Sequence, residues 1–202
     1  MLSIAKISTN GASYYGSDNY YATNEHEAGE WFGKGAERLG LEGAVNNALF
    51  DALVAGRVSG IQLGKVVDNQ IKHHPGWDHT FSAPKSVSLL ALVGSDERLI
   101  NAHETAVDTA LHYIENNLAQ SRFRYGSDIK KEKTGNLAVA KYLHDISRDK
   151  DPQLHTHAAV LNITFGHQGE LRSLDSRDFY KNKMLVGAIY QSTLAQKVQE
   201  LG

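Results

Sequence analysis

The chain places two histidines, His155 and His157, two residues apart in the run Gln153-Leu154-His155-Thr156-His157-Ala158-Ala159-Val160-Leu161-Asn162-Ile163. In an extended strand alternate side chains share a face, so the two imidazoles point the same way, together with Ala159, Leu161 and Ile163. A third histidine, His144, closes another extended run from Gly135, and the polar link from Asp145 to Pro152 has turn chemistry. A hairpin would gather all three imidazoles. Neutral imidazoles suit Zn, Mn, Ni or Cu, and three protein ligands leave coordination positions open for water or substrate. The chain has no cysteine, so histidine and carboxylate alone must hold any bound metal. Against this stands the plainer reading of a His-x-His pair as a polar strand face, which the addition of His144 weakens. By itself the trio indicates a metal site and leaves the reaction open.

Two further groups could act on a substrate held there. Tyr14-Tyr15 and Tyr20-Tyr21 supply four of the nine tyrosines, in a segment short of large apolar residues. Dense tyrosines are most often packing aromatics. A phenol near a metal is also a candidate nucleophile, because positive charge favours the phenolate. Asp78, in the extended run after Pro75, could accept a hydrogen bond from a ligand imidazole and fix its tautomer; the alternative is an ordinary surface aspartate. Basic residues cluster in two intervals, Arg122, Arg124, Lys130, Lys131 and Lys133, and Arg172, Arg177, Lys181 and Lys183. Such runs are more often solvated faces than binding surfaces.

The elements that must position these residues follow from patterning. With 202 residues, 41% hydrophobic and 22% charged, the chain reads as one globular domain. It has no long apolar run and no signal-peptide layout at Met1 to Lys6, so a cytoplasmic protein is expected. A net charge of −2 argues against a broad nucleic-acid surface but leaves room for a local basic groove. Leu2 to Ser8 alternates as a strand. Asn46 or Asn47 caps a helix with Leu49, Phe50, Leu53 and Val54 on one face. Residues 57–74 show no period and read as an irregular connection. A strand from Pro75 gives way to a helix at Pro84, and Ser95 or Asp96 caps a long helix to about Gln120 that buries Leu99, Ala102, Ala106, Ala110, Ile114 and Leu118. His103 and His112 ride that helix too far apart to share a metal. Arg122 to Tyr125 and Gly169 to Leu174 read as short strands. A last helix opens at Asp175 or Ser176, with Met184, Leu185, Ala188, Leu194, Val198 and Leu201 as its core positions. The order suits an α+β fold, an antiparallel sheet with packed helices.

Taken together, several separated segments resemble one family. These are the two tyrosine pairs, Trp31 to Leu41, and Asp78 with Thr80-Phe81-Ser82-Ala83-Pro84-Lys85-Ser86-Val87-Ser88. To them are added Thr134-Gly135-Asn136-Leu137, His144 with Ser147-Arg148-Asp149, and Asp151-Pro152-Gln153-Leu154-His155-Thr156-His157. The chain is similar, nearly end to end, to the N-terminal domain of TrwC/TraI-type conjugative relaxases. That resemblance implies a His-hydrophobe-His endonuclease fold, with a polar middle residue, here Thr156, as is usual for this branch. It implies a nickase in which Tyr14 attacks the scissile phosphate of single-stranded DNA at a plasmid origin of transfer, leaving a 5′-phosphotyrosine and a free 3′-hydroxyl.

The implied catalytic set is Tyr14 and Tyr15 with Asp78, which would orient a histidine and accept the Tyr14 proton, and Tyr20 or Tyr21 for a second strand-transfer step. One divalent ion (Mg, Mn or Zn) would sit on His144, His155 and His157 and offset charge on the phosphate. Lys85, Arg148, Arg172 and Arg177 are the implied DNA-binding positions. Accessory relaxosome proteins and a conjugation coupling protein are the implied partners of a monomer. Domains of this family run longer and continue into a helicase, so residues 1–202 are expected to be a C-terminally shortened relaxase domain without the helicase region. Two competing readings are a non-cleaving module that binds origin DNA and an unrelated three-histidine metalloenzyme acting on a small molecule.

Overall fold

The computed structural model describes residues 1–7, 29–147 and 149–202. In chain order it contains β1 (Leu2–Lys6), β2 (Glu30–Phe32), α1 (Lys34–Arg38), α2 (Asn47–Val54), β3 (Arg57–Val58), β4 (Ile61–Gln62), β5 (Lys65–Val67) and β6 (Gln70–Lys72). There follow β7 (Gly76–Ser82), α3 (Lys85–Leu92), α4 (Glu97–Tyr113), β8 (Gln120–Tyr125) and β9 (Asp128–Lys133). Last come β10 (Val139–Ile146), β11 (Pro152–Leu161), β12 (Thr164–Phe165), β13 (Leu171–Arg172), α5 (Arg177–Lys181) and α6 (Lys183–Glu200). The fold is the antiparallel α+β arrangement expected from the order of elements.

A five-stranded sheet of order β1-β7-β11-β10-β2 organises the rest, with every neighbouring pair antiparallel. Strand β11 lies at its middle, and its alternation divides the core in two. Leu154, Ala158 and Val160 join Phe81, Ala106, Leu111, Tyr190 and Leu194 in a cluster beneath α4 and α6. Ala159 and Leu161 face the other way and pack with Trp31, Phe50, Ala140 and Tyr142. Each large side chain fully buried in this way contributes about 1.5–3 kcal/mol. Gly76, at φ +154, lets β7 begin tightly against β11: a Cβ there would collide with the carbonyl oxygen of Val160. No larger residue could start the strand that carries Asp78 in this position.

The long helix α4 is capped by Asp96, whose side chain accepts a hydrogen bond from Arg98 N at 3.2 Å. It runs on through a π-helical turn, Ile114–Leu118. That turn carries Glu115 inward, where Oε1 accepts the backbone N–H groups of Lys34 at 2.8 Å and Leu137 at 3.0 Å. The buried carboxylate thereby ties the start of α1 to the approach to β10. Among the described residues no helix is long and apolar enough to cross a membrane.

Three expectations need correction. Residues 57–74 form two short hairpins, β3–β4 and β5–β6, whose turns use positive φ at Ser59 and Gly60 and at Asp68 and Asn69. Strand β9 pairs with all of β8, although its charged sequence Asp-Ile-Lys-Lys-Glu-Lys hid the pairing. In α6 the inward positions are Val186, Tyr190 and Leu194, whereas Met184, Leu185 and Ala188 are exposed. The inward face is set by a tyrosine whose hydroxyl finds a buried partner, which a purely apolar pattern does not anticipate.

Candidate active site

The three middle strands of the sheet each bring one part of a polar cluster. His144 on β10 stands directly opposite His155 on β11, and His157 lies one pleat further along. Their ring centroids are 5.2 Å (His144 to His155), 5.4 Å (His144 to His157) and 5.1 Å (His155 to His157) apart. Asp78 arrives from β7, two residues from Thr80, which pairs with His157. Asp78 Oδ2 lies 2.7 Å from His157 Nδ1, and His155 Nδ1 lies 2.8 Å from the carbonyl oxygen of Gln153. A carboxylate and a carbonyl only accept, so both rings carry their proton on Nδ1 and present the Nε2 lone pair. Immediately past His144 the β10–β11 register shifts, so the histidine is the last regular pair before an irregularity.

Burial keeps His144 and His155 uncharged. Burial, helped by the neighbouring His157 and His155, pushes His144 down to about 3. Burial also lowers His155, against the opposing pull of the Gln153 carbonyl. Neutral imidazole is the form that binds metals. Among the described residues no set of three or more histidine and carboxylate groups is already gathered tightly enough to hold an ion as it stands. The spacing nevertheless fits: metal–nitrogen bonds of about 2.0–2.1 Å in a tetrahedral site put imidazole centres about 5.2 Å apart. Asp78 Oδ1 is buried without a hydrogen-bond partner among the described residues, an acceptor that suits an incoming O–H or N–H donor.

Other expected site residues fall elsewhere. Tyr14, Tyr15, Tyr20, Tyr21 and Arg148 lie outside the described residues. Lys85 opens α3 at the surface; its Nζ donates to the carbonyl of Pro152 at 3.1 Å and lies 3.9 Å from the Asp151 carboxylate, at the mouth of the β10–β11 hairpin. Arg172 is engaged by Glu132 and Glu170 and covers the ring of Phe123. Arg177 pairs with Asp175, which Arg122 also approaches. These two guanidinium groups therefore belong to two separate ion-pair groups, Arg172 with Glu132 and Glu170 and Arg177 with Asp175. The sequence places His103 on the long helix without giving it a role; in the structure it reaches the sheet from behind at Thr156.

Residues 8–202 match the family model described as TrwC relaxase, and the chain belongs to that family. It is 44% identical over 212 residues to the multifunctional conjugation protein TraI of Escherichia coli, which covers 99% of this chain and 12% of that protein. The chain thus spans a small part of the length of the curated relatives it matches. Among solved structures it superposes with a TM-score of 0.91 and 39% identity on the conjugative relaxase TrwC in complex with OriT DNA in a metal-bound structure, covering 100% of this chain and 71% of that one. A copper-bound structure of TrwC with OriT DNA gives a TM-score of 0.88 at 41% identity, with coverage of 100% and 71%.

Proposed function

We propose that this chain is the DNA-cleaving part of a conjugative relaxase, a nickase and strand transferase acting on single-stranded DNA at a plasmid origin of transfer. The observation that carries the reading is the gathering of His144, His155 and His157 on adjacent strands, with Asp78 bonded to His157, in a member of the TrwC relaxase family. A divalent ion held by the three histidines would supply Lewis-acid polarisation of the non-bridging phosphate oxygens. All-imidazole donors favour a borderline metal such as Zn over Mg.

The chain's own residues do the rest. Asp78 holds the Nδ1 proton of His157 and fixes the ring, while its Oδ1 is placed to accept a proton. Tyr14 is the nucleophile: its oxygen bonds to phosphorus, its proton passes to a base, and the bond to the 3′-oxygen breaks to give a 3′-hydroxyl and a 5′-phosphotyrosine. Tyr20 or Tyr21 serves a second transfer, and Lys85, at the mouth of the β10–β11 hairpin, and Arg148 are the contacts for backbone phosphates. Accessory relaxosome proteins and a coupling protein are the partners that fit this role.

The test is incubation with labelled single-stranded oligonucleotides tiled across an origin of transfer, with a divalent cation. A covalent protein–DNA band should survive denaturant and map by mass spectrometry to Tyr14. Tyr14→Phe should abolish it and leave DNA binding nearly unchanged, since only the attacking atom is lost. Full nicking by that variant, or an adduct mainly on Tyr20 or Tyr21, overturns the assignment; tight binding with no adduct from the unmodified chain favours a non-cleaving module.

A further inference from the structure

The residue between the two strand histidines is Thr156, and its side chain faces away from them, into the helix layer. Its Oγ1 lies 2.8 Å from His103 Nε2, and His103 Nδ1 lies 2.8 Å from the Tyr190 hydroxyl. The three side chains link β11 to α4 and α6, and all are buried: His103 and Tyr190 are 0% exposed and Thr156 is 4%. His103 is neutral, because burial pushes it down to about 3. A neutral imidazole offers one donor and one acceptor, and hydroxyls at both ends serve either way, so each ring nitrogen is satisfied.

Packing alone does not call for this arrangement. On the same face β11 otherwise presents Leu154, Ala158 and Val160. A valine at 156 would have the shape of threonine and none of the desolvation cost of a buried hydroxyl. What the polar chain adds is direction. Apolar contacts tolerate small slides and rotations, whereas hydrogen bonds weaken steeply once misaligned. Because side chains alternate along one backbone, fixing Thr156 from behind fixes the twist that aims its two neighbours in front. The same helix also grips the adjacent strand: Asp108 on α4 accepts a hydrogen bond at 2.7 Å from Lys141 of β10, three residues before His144.

We propose that the Thr156–His103–Tyr190 chain is a positioning device that pins β11 between His155 and His157 and so holds both imidazoles in their metal-binding directions. The proposal rests on the reading that His144, His155 and His157 hold a metal.

The test compares Thr156→Val and Thr156→Ser with the unmodified protein by Zn2+ calorimetry and by 15N NMR of the histidine rings in metal-free protein. Thr156→Val should fold and yet bind Zn2+ about 10-fold more weakly, the lower end of the range for groups bonded directly to a metal ligand because Thr156 acts through the backbone, while Thr156→Ser restores affinity. An affinity for Thr156→Val within about twofold of the unmodified protein overturns the proposal, because the expected range begins at about tenfold. Should Thr156→Val fail to fold, Tyr190→Phe takes its place: a smaller weakening is expected, and unchanged affinity overturns. If His157→Ala leaves Zn2+ binding intact, the metal reading fails and the metal-free spectra decide the rest. Shifted or broadened His155 and His157 resonances in Thr156→Val then support the brace, and unchanged ones overturn it.

Discussion

Histidines occupy both faces of the central sheet, and the two groups are put to different use. On the helix side His79 and His103 are fully buried. His79 Nδ1 faces the Trp77 carbonyl at 3.4 Å and its ring meets Phe179 edge-on, while both nitrogens of His103 are bonded to hydroxyls. On the opposite face His155 and His157 engage a carbonyl and a carboxylate through Nδ1, and their rings close on His144. Depressed basicity does not separate the groups, because His103 and His144 are both pushed down to about 3. The separation lies in what each nitrogen meets. His103, bonded at both ends, is a structural strut, and His79 packs edge-on against Phe179 with Nδ1 toward a carbonyl; the rings of His144, His155 and His157, gathered about one point, form a candidate ligand set.

The largest effect that would sharpen this contrast is acid destabilisation by the helix-side group. His79 is pushed from 6.5 to about 4, chiefly by burial. As pH falls below 6.5 the unfolded chain takes up a proton that the folded chain refuses until about 4, so stability is present above 6.5 and is lost across that window. The loss is on the order of 3 kcal/mol per such histidine. Denaturant titrations at steps between pH 7 and 4 should show a steep decline for the unmodified protein and a shallower one for His79→Leu. Parallel slopes would remove His79 from the account.

A smaller effect probes the other face. Asp78→Asn keeps the shape but removes the charge that steadies the Nδ1 proton of His157, and should weaken metal affinity about 10- to 100-fold by calorimetry, with little change in folding. An unchanged affinity would mean that the 2.7 Å contact is incidental to the ligand set. The smallest expected effect is that of Tyr190→Phe on stability, about 1 kcal/mol for one buried hydrogen bond, read as a shift in denaturation midpoint at constant slope. A loss several times larger would mean that the whole polar chain collapses with its last member.

Much of the ligand face was legible because it depends on local rules. Alternation alone aims His155 and His157 together, a turn-rich link returns His144 to them, and a carboxylate on a strand is a natural partner for an imidazole. The helix face was not legible, because its logic spans the fold. Nothing near Thr156 or Tyr190 in the sequence announces His103, which meets them across separations of 53 and 87 residues. The same blindness misplaced the core of α6, where Met184 and Leu185 looked the better candidates and Tyr190 fills the interior. The charged strand β9 escaped for a related reason: it is half of a surface hairpin, where pairing needs no apolar face.

The connection between His144 and His155 is short, and it is closed by its own bonds, Ser147 N to the Asp151 carbonyl and Asp151 N to Ser147 Oγ. Asp78 must be recruited from 79 residues away. Closing a short loop costs little entropy, and local contacts form ahead of distant ones as a chain folds. The three imidazoles can therefore meet as soon as one hairpin zips, before the sheet is complete, and an ion captured at that moment would act as a nucleus on which the remaining strands assemble.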